Sequence, residues 1–267
     1  MNSLQLRVAE MLRDKSIDVF IGYGKGTGNK IRAIFLKSPD EAGNLIFDEN
    51  CSQNLAVYLV KDEVKRTGKI GFVASNFALR SMMQLASEFQ FKDGEITALH
   101  ITADGRLMEF TDFRSIGDHL RNTDSSISDS DKERIEKIRS MSREDRWNYW
   151  KDEFSKCIKC YACRAACPMC YCHRCTTDCN SPQWIPVASH DLGNLDWHLM
   201  RAMHLAGRCV NCGECAKACP MDIPLNLLTY CLVEDIRKDF DFVAGMKSDA
   251  LYALSTFKPD DKENFII

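Results

Sequence analysis

The sequence has 14 cysteines in 267 residues, and twelve of them lie between Cys157 and Cys219. Cys157, Cys160, Cys163 and Cys167, followed by Pro168, form C-x2-C-x2-C-x3-C-P. Cys209, Cys212, Cys215 and Cys219, followed by Pro220, form it again. Three closely spaced thiolates can wrap three corners of an iron–sulfur cubane, and the fourth ligand then comes from the other copy, because the chain turns away at the Cys-Pro step. The expected ligands of one [4Fe–4S] cluster are therefore Cys157, Cys160, Cys163 and Cys219. Those of a second are Cys209, Cys212, Cys215 and Cys167. Pro168 and Pro220 end each loop by removing an N–H and fixing φ. Structural zinc uses two pairs of ligands rather than triplets with a remote fourth, and cysteines that merely fill a core do not repeat in register.

Between the two copies stand Cys170, Cys172, Cys175 and Cys179, spaced C-x-C-x2-C-x3-C. They are enough for a third [4Fe–4S] cluster. A zinc ion held by four thiolates and free thiols crowding the second cluster remain as alternatives. Cys51 is an alternative ligand to Cys179, and Cys231 reads as a core residue on a helix. Among the histidines, His173, His190, His198 and His204 lie near the cysteines, where one could ligate a metal or tune a cluster by hydrogen bonding; solvated or capping roles are the default. Trp147, Trp150, Trp184 and Trp197 flank the loops and are expected to shield clusters from water, although packing would account for them equally.

These residues need a scaffold. The 41 residues between Cys167 and Cys209 are too many for a minimal bacterial ferredoxin loop, and helices are expected to enter and leave each motif. SREDRWNYWKDEF, NLDWHLMRAMHLAG and DIPLNLLTYCLVEDIRKDF all carry helical patterning, the second with Leu195, Leu199, Ala202 and Ala206 on one face and an end at Gly207. Upstream, IDVFIGYG, KIRAIFLKS, KIGFVAS and EITALHITAD read as strands. MNSLQLRVAEMLRDK, CSQNLAVYLVKDEVKRTG and NFALRSMMQLASEFQ read as helices. KIGFVAS followed by a helix is one strand–helix step of a parallel sheet. GYGKGTGNK lies between two strands, so it reads as a hairpin turn rather than a phosphate loop.

The expected fold is α+β. It comprises an N-terminal α/β domain (1–120), a polar linker and charged helix (121–142), a helical two-cluster ferredoxin-like domain (143–240) and an extended C-terminal arm (241–267).

The formal net charge of -3, without a basic stripe, argues against nucleic acid. No apolar run approaches the roughly 20 residues of a membrane span, and the N-terminus lacks the apolar centre of a signal peptide. Abundant thiols without a secretory signal imply the cytoplasm and metal ligation rather than disulfides. No Ser–His–Asp set, paired carboxylates or phosphate loop emerges, so no catalytic residue is assigned.

RWNYWKDEFSKCIKCYACRAACPMCYCHRC, AGRCVNCGECAKACPMDIPL and TFKPDDKENFI resemble the iron–sulfur subunits of anaerobic hydrogenases, formate dehydrogenases and heterodisulfide-reductase-type complexes. IGYGKG, CSQNLAVYLV and KIGFVASNFALRSMMQL resemble the N-terminal domain of the beta subunit of deazaflavin-reducing hydrogenase and formate dehydrogenase. Two departures stand out. Asn76, Phe77 and Ala78 occupy the place of a Gly-Cys-Asp step that family members often carry, and no long flavin-binding region follows the second motif, so no flavin site is carried over.

The resemblance implies an electron-transfer subunit of an anaerobic oxidoreductase complex, relaying single electrons between a catalytic subunit and a flavin or other carrier. A flavin-dependent subunit that itself reduces a deazaflavin or nicotinamide is the alternative, and a structural adaptor is a third.

Overall fold

The computed structural model describes residues 2–123, 127–179 and 181–251. Helix α1 (Ser3–Arg13) starts in a capping box: the Asn2 side chain accepts from the Gln5 N–H, and the Gln5 side chain accepts from the Asn2 N–H. Leu4, Val8, Met11 and Leu12 share its buried face.

Strands β1 (Val19–Lys25) and β2 (Ile31–Leu36) pair antiparallel across the Gly-rich stretch, with Gly28 at φ 63°. The stretch is a hairpin connection, as its position between strands predicts. Residues 51–68, expected as one helix, are instead a short 3-10 turn (Leu55–Tyr58) and the one-turn α2 (Asp62–Lys65), separated by an extended Lys61. The physical reason is burial: Leu55, Ala56, Val57, Leu59 and Val60 are all enclosed, whereas an amphipathic helix would leave one side exposed. Strand β3 (Ile70–Val73) then leads through the N-cap Ser75 into α3 (Asn76–Ser87), followed by β4 (Ile96–Ile101), β5 (Leu107–Phe110) and α4 (Phe113–Arg121). The sheet order is β2-β1-β3-β4-β5, with β1, β3 and β4 parallel and both edge strands antiparallel.

The helices of the rest of the described chain, joined by loops that carry most of the cysteines, are α5 (Asp129–Ser140), α6 (Arg143–Ser155), α7 (Ala162–Ala165), α8 (Asp191–Leu205), α9 (Glu214–Lys217) and α10 (Leu225–Phe240). Helix α5, read from sequence as a polar connector, buries Ile135 and Ile138 in one apolar cluster with Trp150, Phe154, Ile223, Leu227 and Tyr230. After α10 the chain returns to the sheet. Arg80 of α3 donates to the Ala244 carbonyl at 2.8 Å, and the Gly245 N–H donates to Gln84 at 3.0 Å. Gly245 has φ 77°, and a Cβ there would sit 2.3 Å from the Arg80 carbonyl oxygen, so glycine alone fits. Of the expected C-terminal arm, residues 252–267 lie outside the described residues.

Candidate metal centre

The two cysteine motifs fold into the same backbone, offset by 52 residues. In the first copy Lys159 and Tyr161 adopt left-handed conformations at φ 54° and 57°. In the second, Asn211 and Gly213 do so at φ 64° and 74°. This curl turns main-chain N–H groups inward. The Lys159 N–H points at the sulfur of Cys157 and the Asn211 N–H at that of Cys209, both at 3.4 Å. A single helical turn follows in each copy, α7 carrying Cys163 and α9 carrying Cys215. Each then closes with an N–H to carbonyl bond at its last cysteine, Cys167 to Arg164 at 3.3 Å and Cys219 to Ala216 at 3.0 Å. Non-glycine residues in left-handed backbone are uncommon and mark an over-determined loop. Short, curled loops presenting thiols together with amide donors suit thiolate-bound iron, whose sulfurs accept such hydrogen bonds.

Cys157, Cys160 and Cys163 line one small cavity together with Cys219 of the other copy. Across α7 and α9, Cys167 of the first copy lies in the electrostatic neighbourhood of Cys209, Cys212 and Cys215. Burial raises the thiols of Cys157, Cys163, Cys209 and Cys212 above their ordinary value, and that of Cys215 to about 12. Such thiols are protonated at neutral pH, so loading a metal must release protons. Cys167 goes the other way, because the neighbouring Cys170 thiol donates to it and Arg201 lies close by. Among the described residues no three His, Cys, Asp or Glu side chains converge tightly enough to hold a single metal ion. A cubane is larger than a single ion and takes its four thiolates at the corners of a wider core.

The walls of the first cavity carry a second sign of fit. His198 of α8 is 3% exposed, and its Nε2 has no hydrogen-bond partner among the described residues. The ring stacks on Phe154 at 4.5 Å. Burial, with Arg201 and Lys159 nearby, pushes its pKa down to about 3, so the ring is neutral. A buried polar atom without a partner costs free energy on the order of 1–3 kcal/mol, and a sulfur acceptor in the cavity would satisfy it.

Cys170, Cys172 and Cys175 line a separate cavity of about 490 Å³, with Arg164, Trp197, Met200, Arg201 and Arg208. Cys179 is half-buried and directs its thiol to the Cys175 carbonyl at 3.7 Å. Arg164 fixes the turn by a two-pronged ion pair with Asp178 at 2.9 and 2.8 Å. Cys51 packs against the sheet core, near Ile46 and Asp48. Cys231 sits on α10 beside the helical core.

Of the four tryptophans, Trp197 faces both cysteine cavities and Trp150 is buried in the helical core. Trp147 and Trp184 are exposed. His190 caps α8, accepting from the Gly193 N–H, and His173 is exposed beside Asp62. The buried face of α8 also differs from the apolar one expected. It is Asn194, Trp197, His198, Arg201, Ala202 and Leu205, while Leu199 is exposed. This helix turns a partly polar face inward because cysteine loops rather than aliphatic side chains lie beneath it. Arg201 and Glu88, neither singled out by sequence, belong to that environment; a charge at helical spacing from Trp197 and His198 is the one local signal for Arg201.

Residues 156–224 match the family described as 4Fe-4S dicluster domain. The chain is 36% identical over 98 residues to the F420-dependent formate dehydrogenase subunit beta of Methanocaldococcus jannaschii, covering 36% of this chain and 25% of that one. It is 34% identical over 105 residues to the F420-dependent formate dehydrogenase 1 subunit beta of Methanococcus maripaludis, covering 39% and 26%. The chain thus spans about a quarter of the length of the curated relatives it matches. It is an iron–sulfur protein with a ferredoxin-type 4Fe–4S domain, similar to these beta subunits. Among the described residues no helix is long and apolar enough to cross a membrane.

Proposed function

We propose that this chain is the electron-transfer part of a formate-dehydrogenase-type complex working in the anaerobic cytoplasm. One [4Fe–4S] cluster is held by Cys157, Cys160, Cys163 and Cys219, and another by Cys209, Cys212, Cys215 and Cys167. The observation that carries this reading is the duplicated loop: the same pair of left-handed residues and the same N–H to sulfur bond at each first cysteine. Bound clusters supply one-electron storage at potentials set by their surroundings.

The chain's own residues do the rest. Trp197 and Phe154 crowd the first site and limit water, His198 offers a neutral donor, and the amides of Lys159 and Asn211 aim at thiolates. Cys160 of the first site and Cys172 of the third set are exposed, so these two ends are where electrons pass to and from partner subunits. Residues 170–179 hold a third cluster in this reading, supported by the cavity shared by Cys170, Cys172 and Cys175. The sheet domain of residues 1–120 is the scaffold on which the cluster loops are mounted.

The test is anaerobic purification with iron, zinc, acid-labile sulfide and flavin measured per chain. It is followed by addition of formate to the protein bound to its copurified catalytic subunit. About twelve irons and reduced-cluster EPR signals on formate addition support the proposal. Iron-free protein, or clusters that formate leaves oxidised in the intact complex, refutes it.

A further inference from the structure

Arg201 is 5% exposed, and a guanidinium cannot shed its charge by losing a proton. Its Nη2 donates to the Cys163 carbonyl at 3.2 Å, and its Nε has no hydrogen-bond partner among the described residues. It also lines the cavity of Cys170, Cys172 and Cys175. An isolated buried cation is costly to keep, and among the described residues Arg201 forms no ion pair with a carboxylate. Thiols face it from the neighbouring elements, Cys163 on α7, Cys167 and Cys170 beyond it and Cys215 on α9, and Glu88, Arg164 and Arg208 share the cavity it lines. His198, one helical turn back, is the nearby titratable group on its own helix and is neutral, with Lys159 of the first cysteine loop also close to it.

Those four thiols belong to three different sites. Cys163 is assigned to the first cluster, Cys167 and Cys215 to the second, and Cys170 to the third set. From this placement we infer that Arg201 is the shared counter-charge of the first and second clusters, and that it raises the reduction potentials of both. The inference rests on the cluster assignment above.

Reduction adds one electron to a cubane and leaves its atoms in place, so its net charge becomes more negative by one unit. A fixed cation in a water-poor site favours that product, and the effect is larger there than in solvent because the local dielectric is lower. Placed between two clusters, one guanidinium acts on both with the same sign. Arg80 offers a contrast. It is buried with Cys209 and Cys212 of the second set nearby, so its charge is expected to bear on the second cluster.

The experiment is an EPR-monitored redox titration of the full-length, anaerobically purified protein and its Arg201→Gln and Arg201→Lys variants, with iron and sulfide counted in each sample. Arg201→Gln is expected to move the waves of both clusters to lower potential, whereas Arg201→Lys keeps both near their original values. Arg80→Gln should lower only one of the two, which identifies the second cluster. If Arg201→Gln retains full iron and either wave is unmoved, the inference is overturned. If Gln and the similarly sized Met both fail to assemble clusters while Lys assembles them, the charge is required and the inference stands. Failure of Lys as well makes the residue merely structural and overturns it. Wild-type protein without iron would instead defeat the cluster assignment itself.

Discussion

Arg208 grips Glu88 with two guanidinium nitrogens, Nε lying 2.8 Å from Oε1 and Nη2 contacting Oε2, across 120 residues of sequence. Glu88 ends α3 of the sheet domain, and Arg208 immediately precedes Cys209. Tyr171, between Cys170 and Cys172, donates its hydroxyl to the same carboxylate at 2.6 Å, and Arg208 lies over the Tyr171 ring at 5.4 Å from its centroid. One carboxylate therefore ties two cysteine loops to the sheet.

Both partners of this pair are largely buried, at 16% and 13% side-chain exposure. Removing one leaves the other as an uncompensated charge, which typically costs 3–5 kcal/mol. Arg208→Ala is expected to destabilise the protein by about 3 kcal/mol, read as a lower denaturation midpoint of anaerobically purified protein. A change below about 0.5 kcal/mol would show the pair to be no more than a surface contact.

The pH response of the same carboxylate has a definite sign. Burial alone would raise its pKa, but hydrogen bonds from Arg208, Tyr171 and Gln84 hold it below the usual carboxylate range. A carboxyl whose folded pKa lies below its unfolded one stabilises the fold fully above the unfolded value, about 4.3, and loses that contribution as pH falls through the folded value. The stability gap between wild type and Glu88→Gln should thus be constant from pH 7 to about 5 and shrink on further acidification. Chemical denaturation at a series of pH values measures it, and a gap that widens towards acid would refute this account.

The cysteines between the two motifs yield a stoichiometric prediction. Cys172→Ser, which alters an exposed cysteine of the proposed third set, should reduce iron from about twelve to about eight per chain and leave two clusters visible by EPR. About eight irons in wild type and variant alike would return these thiols to the zinc or free-thiol reading, and zinc analysis of the wild type separates those two.

The paired loops predict unequal tolerance at two glycines. Tyr161 shows that the left-handed position of Gly213 accepts a side chain, and a Cβ at Gly213 meets only the Tyr230 hydroxyl, at 3.4 Å. Gly213→Ala should therefore cost roughly 1 kcal/mol of backbone strain and keep its iron. Gly245→Ala should cost distinctly more, since its Cβ would fall 2.3 Å from the Arg80 carbonyl oxygen. Equal denaturation midpoints for the two variants would contradict this.

What sequence alone determined is what depends on near neighbours. The spacing of Cys157 to Cys167 and of Cys209 to Cys219 encodes loops whose curl is local, and the structure shows them as two copies of one backbone. The strands of β1 to β4 were legible because each is a short β-branched run bounded by turn residues. The Gly-rich stretch was readable as a hairpin from its two flanking strands.

Only the tertiary structure decided the partners of those loops. The apolar run at residues 55–60 looked like one side of a helix, yet it is enclosed from all sides and folds as a short turn. Helix α5 is polar along most of its length, and two isoleucines suffice to place it in the helical core. Leu195 and Leu199 promised the inward face of α8, but His198 and Arg201 take it because thiols lie opposite. Glu88 carries no signal within its own helix, since its meaning comes from Arg208 and Tyr171, which arrive from distant chain. Local spacing can specify a cysteine loop, but the charges that surround it depend on which elements pack together, and packing is a property of the whole chain.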